Sequence, residues 1–414
     1  MTNDAPSGPV IRPVSTEEFP EYYRTLQDAF SADSHPDDRD NDLVVFEPER
    51  SLAVFDGDQI VGTAGAFSRQ LTLPGRAVPV AAVTMVGVAP THRRRGLLTA
   101  MMRRQLTEVF EGGREAVAAL WASEGAIYGR FGYGLSTHQA TLTGRTDRMR
   151  LRPGTDLTTT VLRQVDVAEL PLLAGGMRER LRLRTVGWLD RPDRWWRFQF
   201  HAPERRGSGA GVMRAVVCEQ AGEVTGYAAY QISGDWQPTG PEHKVRVHEM
   251  AAATAPARAA TWSFLINLDL VRWIRASRRP VDEPLRHLVT DGRALGLSMV
   301  DNLWVRTVDV GRALSARCYA HEVDVVLDVT DDFCRWNVGR WRLSGDRHGA
   351  ECARTTSRAD LALSSTELGA ALLGGTALSV LAAAGRVREL RPGILARASG
   401  AFATDRAPWC PDIF

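Results

Sequence analysis

Apolar and polar positions along the first 150 residues switch between two periods. Residues 43–46, 51–55 and 59–67 alternate or run apolar, with Asp56-Gly57-Asp58 as a turn signal, and predict strands. Residues 78–88 form a longer apolar run and predict a long strand. From about Gly96 the spacing changes: Leu97, Leu98, Met101, Met102, Leu106, Val109 and Phe110 fall on one face of a 3.6-residue period, and Gly112-Gly113 ends the predicted helix. Residues 116–121 read as the next strand, so strand, helix and strand follow one another and predict a mixed, partly parallel sheet.

The middle of the chain repeats this flavour. Residues 214–218, 226–232 and 245–252 predict strands, 257–273 an amphipathic helix, and 285–290 and 303–308 strands again. The similar element order predicts an internal duplication. Further on, 322–329 and 334–343 read as strands, and 364–373 and 377–384 as small helices broken at Gly374-Gly375. The expected domains are 1–150, 151–305 and 306–414, a division that suits a length of 414 residues. The tail from Asp405 carries Trp409, Pro411, Ile413 and Phe414, where chain ends are usually polar, and is expected to dock.

Composition removes several classes. A hydrophobic fraction of 44% with 24% charged residues is that of a globular protein and excludes disorder. With 51 basic and 49 acidic residues the net charge is +2, which gives no general pull toward nucleic acid or membrane. Residues 1–10 lack the basic and apolar regions of a secretory signal, and 368–385 holds too many glycines for a membrane span. The odd count of 5 cysteines, without CxxC, and 9 scattered histidines, without HExxH, predict a reducing cytoplasmic location and no metal site.

The chemistry concentrates after the long strand, in the run from Val83 to Thr99. Pro90 turns the chain, Arg93-Arg94-Arg95-Gly96 follows, and a helix opens at Leu97. A helix start offers unpaired N–H groups and partial positive charge, which favour phosphate. Gly96 lets backbone approach a ligand, and the arginines add charge-assisted contacts. In a chain of near-zero net charge, three arginines at a helix start fit a polyphosphate better than a nucleic-acid face. The corresponding stretch of the second half, 254–259, lacks the arginine–glycine pattern.

Arg93-Arg94-Arg95-Gly96-Leu97-Leu98 resembles the acyl-CoA signature of the GNAT acetyltransferases, with Leu98 where a small residue is usual. Together with the run Ser123-Glu124-Gly125-Ala126-Ile127-Tyr128-Gly129-Arg130-Phe131-Gly132-Tyr133-Gly134, Tyr319-Ala320-His321-Glu322-Val323, Ala401-Phe402-Ala403 and the final Phe, it resembles the Eis family of N-acetyltransferases over the whole chain. The resemblance implies an α/β fold with tandem GNAT domains, the second degenerate, followed by a sterol-carrier-protein-like domain, and a homohexamer. It implies acetyl-CoA as co-substrate, held at Val86, Gly87, Val88, Arg93, Arg94, Arg95, Gly96, Leu97, Leu98, Thr99, Ser123 and Glu124. It implies Tyr128 as general acid and the carboxylate of Phe414 as general base.

Chemistry alone leaves Tyr133 as a rival acid, and Asp412 and Glu124 as rival bases. Phe30, Asp33, Trp121 and Ile413 are candidate acceptor contacts, and the acidic stretch Asp28, Asp33, Asp37, Asp38, Asp40 and Asp42 is either a mouth for cationic amines or a solvated loop. The expected acceptor is a primary amine of a cationic small molecule, as in the family's aminoglycoside acetylation. Ile413 stands where some members carry an acid, which argues against strong activity on aminoglycosides. A peptide lysine is the alternative acceptor, and a lipid carrier on a non-catalytic scaffold the alternative function.

Overall fold

A computed structural model describes residues 8–33, 35–201 and 211–414. Residues 1–7 of the N-terminal stretch read above lie outside the described residues. In chain order the elements begin with β1 (Val10–Pro13), α1 (Phe19–Phe30), α2 (Pro36–Val45), β2 (Leu52–Asp56), β3 (Gln59–Leu73) and β4 (Arg76–Val88). Then come α3 (Leu97–Gly112), β5 (Val117–Trp121), α4 (Gly125–Tyr128), β6 (Gly134–Leu135) and β7 (His138–Arg145). The middle holds β8 (Val161–Val165), α5 (Leu170–Arg182), α6 (Asp193–Gln199), β9 (Arg214–Gln220), β10 (Glu223–Ser233), β11 (Trp236–Gln237) and β12 (Gly240–Pro241). It continues with β13 (His243–Ala252), α7 (Ala255–Ile266), β14 (Val271–Arg279), α8 (Leu285–Leu288), β15 (Gly296–Asp301) and β16 (Leu303–Thr307). Last come α9 (Val310–Ser315), β17 (Val323–Thr330), β18 (Gly339–Gly345), β19 (Ala350–Arg354) and β20 (Leu361–Ser364). They are followed by α10 (Ser365–Ala371), α11 (Leu378–Ala383), β21 (Arg388–Glu389) and α12 (Ile394–Phe402).

The chain forms two compact units: residues 1–136 with 303–404 and Phe414, and residues 137–302 with 405–413. Each contains a seven-stranded sheet, ordered β1-β2-β3-β4-β5-β16-β6 in the first unit and β8-β9-β10-β13-β14-β7-β15 in the second. Both orders place one parallel pair at the same position. β4 pairs with β5 across α3, and β13 pairs with β14 across α7. The duplication expected from element order is therefore a duplication of topology. Sheet membership does not follow contiguous stretches of chain: β7, read with the first 150 residues, lies in the second sheet, and β16 completes the first. The first unit also holds the five-stranded sheet β19-β18-β17-β20-β21.

Where apolar positions repeat strongly, the elements follow them. α3 buries Met101, Met102, Leu106 and Val109 against the first sheet, the face its period prescribes. Four readings differ. The strand expected over 334–343 begins only at Gly339, because a 3₁₀ turn occupies Arg335–Asn337 before it. Residues 43–46 are not a strand: α2 runs through Val45, started by Pro36 and by Asp37 and Asp38, whose charges suit a helix N-terminus. The helix expected over 257–273 ends at Ile266, because Asn267, Leu268 and Asp269 break it. β14 then begins on the alternating run Val271, Arg272, Trp273, Ile274. Residues 285–288 form the short helix α8 after Pro284, where a strand was expected.

Candidate active site

The site grows from the place where β4 and β5 part. Their parallel register runs from Val80↔Val117 to Val83↔Leu120 and stops. Just beyond, Met85 takes a left-handed φ of 53°, and the pairing of β4 with β3 shifts between Thr63 and Gly65. Such a bulge bends a strand and adds twist. Thr63 Oγ1 donates to the Met85 carbonyl at 2.8 Å and holds the strained turn. A cavity of about 280 Å³ opens between the strands. Val83, Thr84, Met85 and Val86 form one wall, Trp121, Ala122 and Ser123 the other, and Phe30, Tyr128 and Phe414 complete it.

A larger cleft of about 690 Å³ shares Phe30, Val86, Ser123 and Tyr128 with that cavity and runs along the loop before α3. Gly87, Val88, Arg93, Arg94, Gly96, Leu97, Leu98, Thr99 and Glu124 also line it. Arg94, with φ 63°, and Gly96, with φ 80°, both turn through the left-handed region. A Cβ at Gly96 would meet nothing within 4 Å, so the space it leaves is open to a ligand. No side chain caps the start of α3, and its first amides remain available to an anion.

The three arginines divide. Arg93 Nη2 donates to the Ala29 carbonyl at 2.9 Å, which ties the loop to α1, while Arg94 lines the cleft. Arg95 is exposed and outside the lining. His92, which sequence reasoning passed over, lines the cleft. Its Nε2 lies 3.0 Å from Asp56 Oδ2 and its Nδ1 2.8 Å from Thr91 Oγ1. The signal was there, a histidine beside the arginine loop. Arg130 and Ile127 are further lining residues that only the fold reveals.

In the second unit the equivalent helix start is closed. Thr254 caps α7, its Oγ1 accepting from the Ala257 amide at 3.2 Å. Arg258 turns inward, with Nη2 donating to the Ala252 carbonyl at 3.2 Å. An amide already bonded to a cap is lost to phosphate.

Tyr128 stands at the junction of the two spaces, and Tyr133 lines neither. Burial, reinforced by the Glu124 charge, pushes the Tyr128 phenol up to about 12. Phe414 lines the smaller cavity, whereas Asp33 and Ile413 are exposed and outside both linings. The acidic stretch stays outside too. Asp37 and Asp38 occupy the first turn of α2 and Asp40 pairs with Arg39 at 2.9 Å. Burial and the neighbouring Asp38 push the Asp42 carboxyl up to about 7.

The tail is docked, as its apolar residues predict. In the second unit Arg406 Nε donates to Asp282 at 2.5 Å, the Trp409 amide to the Val186 carbonyl at 3.2 Å, and the Cys410 amide to Asn302 Oδ1 at 2.7 Å. Gly187, with φ 95°, passes so close that a Cβ would lie 2.6 Å from the Trp409 carbonyl oxygen. Asp412, considered above as a rival base, is wholly buried. Its carboxylate accepts from Arg178 Nη2 at 2.7 Å and from Arg191 Nη2 at 2.6 Å. Arg191 also donates to both oxygens of Glu249, at 2.8 and 2.7 Å, and the Tyr227 hydroxyl donates to Glu249 as well. Burial works against charge on Arg191, but the Asp412 and Glu249 carboxylates outweigh it and hold the guanidinium well above its usual range. Asp412 lines neither the cleft nor the smaller cavity, so its carboxylate does not reach a substrate proton there.

Sheet pairs that part around a bulge, above an uncapped helix start, define an acyltransferase of the GNAT class. Acetyltransferase (GNAT) domain families match residues 10–136 and 187–312, and a sterol carrier protein domain family matches 310–411. An uncharacterized N-acetyltransferase of Streptomyces avermitilis is 47% identical over 98% of this chain and 99% of its own. The N-acetyltransferase Eis of Mycobacterium tuberculosis is 37% identical, covering 84% of each chain. Among solved structures, Eis1 of Mycobacterium abscessus superposes with a TM-score of 0.83 at 32% identity, covering 98% of this chain and 100% of that one. The chain belongs to the Eis family of N-acetyltransferases and is an acetyltransferase with two GNAT domains and a C-terminal sterol-carrier-like domain. Among the described residues no helix is long and apolar enough to cross a membrane, and no group of three or more His, Cys, Asp or Glu is placed to hold a metal.

Proposed function

We propose that the chain transfers an acetyl group directly from acetyl-CoA to a primary amine of a cationic small molecule. One observation carries this reading: Tyr128 lines both the cleft beside the α3 start and the cavity that contains Phe414. In this reading the cleft takes the CoA pyrophosphate on the amides at Gly96 to Thr99 and on Arg94. The thioester lies along β4 beyond Val83, where the strand has no partner on the β5 side and backbone N–H groups near Val86 and Val88 receive the carbonyl oxygen. The acceptor enters the smaller cavity, whose lining includes Phe30, Trp121 and Phe414, residue types that can attract a cation.

The chemistry then balances. The Phe414 carboxylate takes a proton from the ammonium, and the amine nitrogen attacks the thioester carbon. The C–N bond forms, the C–S bond breaks, and Tyr128 delivers a proton to the departing thiolate. A free α-carboxylate titrates at about 3.3–3.7, low for a base, and burial away from water is what raises a group of this kind. Phe414 is 8% exposed, a setting of that kind. We also place the enzyme in the cytoplasm, since all five cysteines are free, and propose a homohexamer. Association finds support on the edge strand β15, where Leu297, Met299 and Val300 are exposed beside unpaired backbone.

Thiol release from acetyl-CoA, measured across a panel of di- and polyamines, aminoglycosides and lysine peptides, tests the reading. Turnover confined to small cationic amines is expected. Release that no amine stimulates, or that peptides alone stimulate, overturns it.

A further inference from the structure

Tyr128 is followed by Gly129, Gly132 and Gly134, and at two of these glycines the C-terminal part of the same unit comes up to the backbone. A Cβ at Gly134 would run into the Thr366 carbonyl oxygen and the Ala370 amide nitrogen, so α10 lies directly against the chain there. A Cβ at Gly132, where φ is 81°, would run into Arg306 Nη1. The carbonyls of this turn are held one by one. That of Tyr128 accepts from the Tyr133 amide at 3.2 Å, that of Gly129 from Thr366 Oγ1 at 3.3 Å, and that of Gly132 from Arg306 Nη1 at 3.4 Å. Arg306 is itself fixed. It is wholly buried on β16, and its Nη2 donates to Asp331 Oδ2 at 2.5 Å. Asp331 also accepts from the Cys334 amide at 2.8 Å and from Asn337 Nδ2 at 3.0 Å. Phe333 of the same loop meets the Phe131 ring edge to face, with centroids 5.0 Å apart.

We propose that Thr366 and Arg306 are positioning residues for Tyr128: they back the turn that carries the phenol and fix where it stands at the junction of cleft and cavity. This rests on the reading that Tyr128 protonates the departing thiolate. Tyr128 is the last residue of α4, which has only four residues, and so short a helix does not hold itself in place. β6 adds little, since its two residues form the edge of the sheet beside β16. The turn therefore depends on what is packed behind it. A reacting group misplaced by about 1 Å loses about 100-fold in rate. Thr366 and Asp331 both fall within the residues that match the sterol carrier domain family. That domain thus has work in acetyl transfer that needs no lipid. A guanidinium bonded to a carboxylate on one side and to a carbonyl on the other fixes direction as well as distance.

The test uses the full-length protein. Thr366→Val keeps the shape and removes the hydroxyl, Thr366→Ser restores it, and Arg306→Lys keeps a cation for Asp331 while giving up the contact with Gly132. Circular dichroism and acetyl-CoA calorimetry verify folding, and each change is also made in a Tyr128→Phe protein. Thr366→Val is expected to lower kcat about 3–10-fold and Arg306→Lys about 10-fold, with KM for acetyl-CoA unchanged. Thr366→Ser should recover at least half of the native kcat. In the Tyr128→Phe protein neither change should lower kcat by more than about twofold, because the group they position is already gone. A merely structural loss would multiply in both backgrounds. If Arg306→Lys does not fold, Thr366→Val decides the matter alone. Losses that multiply, or no loss from either variant while Tyr128→Phe is impaired, overturn the positioning and leave Tyr128 in its role. Full kcat in Tyr128→Phe itself overturns the premise.

Discussion

Tyr128 and Tyr133 meet edge to face, their ring centroids 6.1 Å apart, yet only Tyr128 reaches the cleft and the cavity. The Tyr133 hydroxyl is fully buried without a hydrogen-bond partner. Two phenols that the sequence leaves interchangeable are therefore unequal in access. Tyr128→Phe is expected to lower kcat about 10²-fold, the low end for acid catalysis, with acetyl-CoA affinity little changed. Tyr133→Phe should leave kcat within about threefold, since no proton path begins there. A larger loss at Tyr133 in steady-state kinetics contradicts the assignment. An acid acts while protonated, and the Tyr128 phenol is raised to about 12, so kcat should show no loss from its ionisation below about pH 11.

Gly96→Glu places a carboxylate and a side chain into space that is now open at the start of α3. Like charge repels phosphate there, and φ of 80° strains any L-residue. Calorimetry should find one acetyl-CoA per chain in the native protein and an affinity lowered at least about 100-fold in the variant. Two sites per chain would mean that the Thr254 cap does not close the second helix.

Extending the chain by several residues past Phe414, or amidating it, removes the α-carboxylate from the cavity. Turnover should fall by about 10²–10⁴-fold, the range for a missing base, while acetyl-CoA still binds. Full activity in a protein whose extension is verified by mass spectrometry refutes the assignment.

Strong periodicity made much of this architecture legible. The 3.6-residue repeat of Leu97 to Phe110 gave α3, and the apolar run ending at Val88 gave β4. The short runs misled: four apolar residues at 43–46 do not distinguish the end of a helix from a strand, and at 257–273 a helical pattern ran on into the alternating start of β14. In the site, the arginine–glycine loop announced the cleft. The separate fates of Arg93, Arg94 and Arg95 did not appear, because each depends on a partner or a direction set by distant chain, such as Ala29. The acidic stretch, a mouth or a solvated loop on sequence alone, lines neither space, and only its Asp37 and Asp38 serve a helix start. Asp412 looked like a base because one-dimensional proximity to Phe414 says nothing of Arg178, which lies more than two hundred positions away.

The Asp42 carboxyl gives a stability test. Its folded pKa, about 7, lies above the usual carboxylate value, so the folded state binds its proton more tightly. That contribution is complete below about pH 4 and is lost as pH rises through 7, at up to about 1.4 kcal/mol per unit. Asp42→Asn should therefore raise Tm at pH 8 and leave it unchanged near pH 4. Equal shifts at both pH values in a calorimetric melt would count against a protonated Asp42.

Gly187→Ala puts a methyl group 2.6 Å from the Trp409 carbonyl oxygen, on a backbone with φ of 95°. Both effects destabilise, together by about 2–4 kcal/mol. Thermal unfolding should shift down accordingly, and the Trp188–Trp409 edge-to-face pair, now 5.6 Å between centroids, should give an altered near-ultraviolet signal.

The placement of β16 bears on how the chain is made. The first sheet needs Leu303–Thr307 between β5 and β6, so a ribosome that has delivered the first 136 residues has not yet delivered that sheet. The nascent N-terminal domain must wait, with an unfilled slot beside β5, while the whole second sheet emerges. Chaperone occupancy on arrested nascent chains should persist until Thr307 clears the exit tunnel and fall soon after. A gene fragment ending near residue 136, however tidy its alignment to a single acetyltransferase domain, would encode a protein with an open edge.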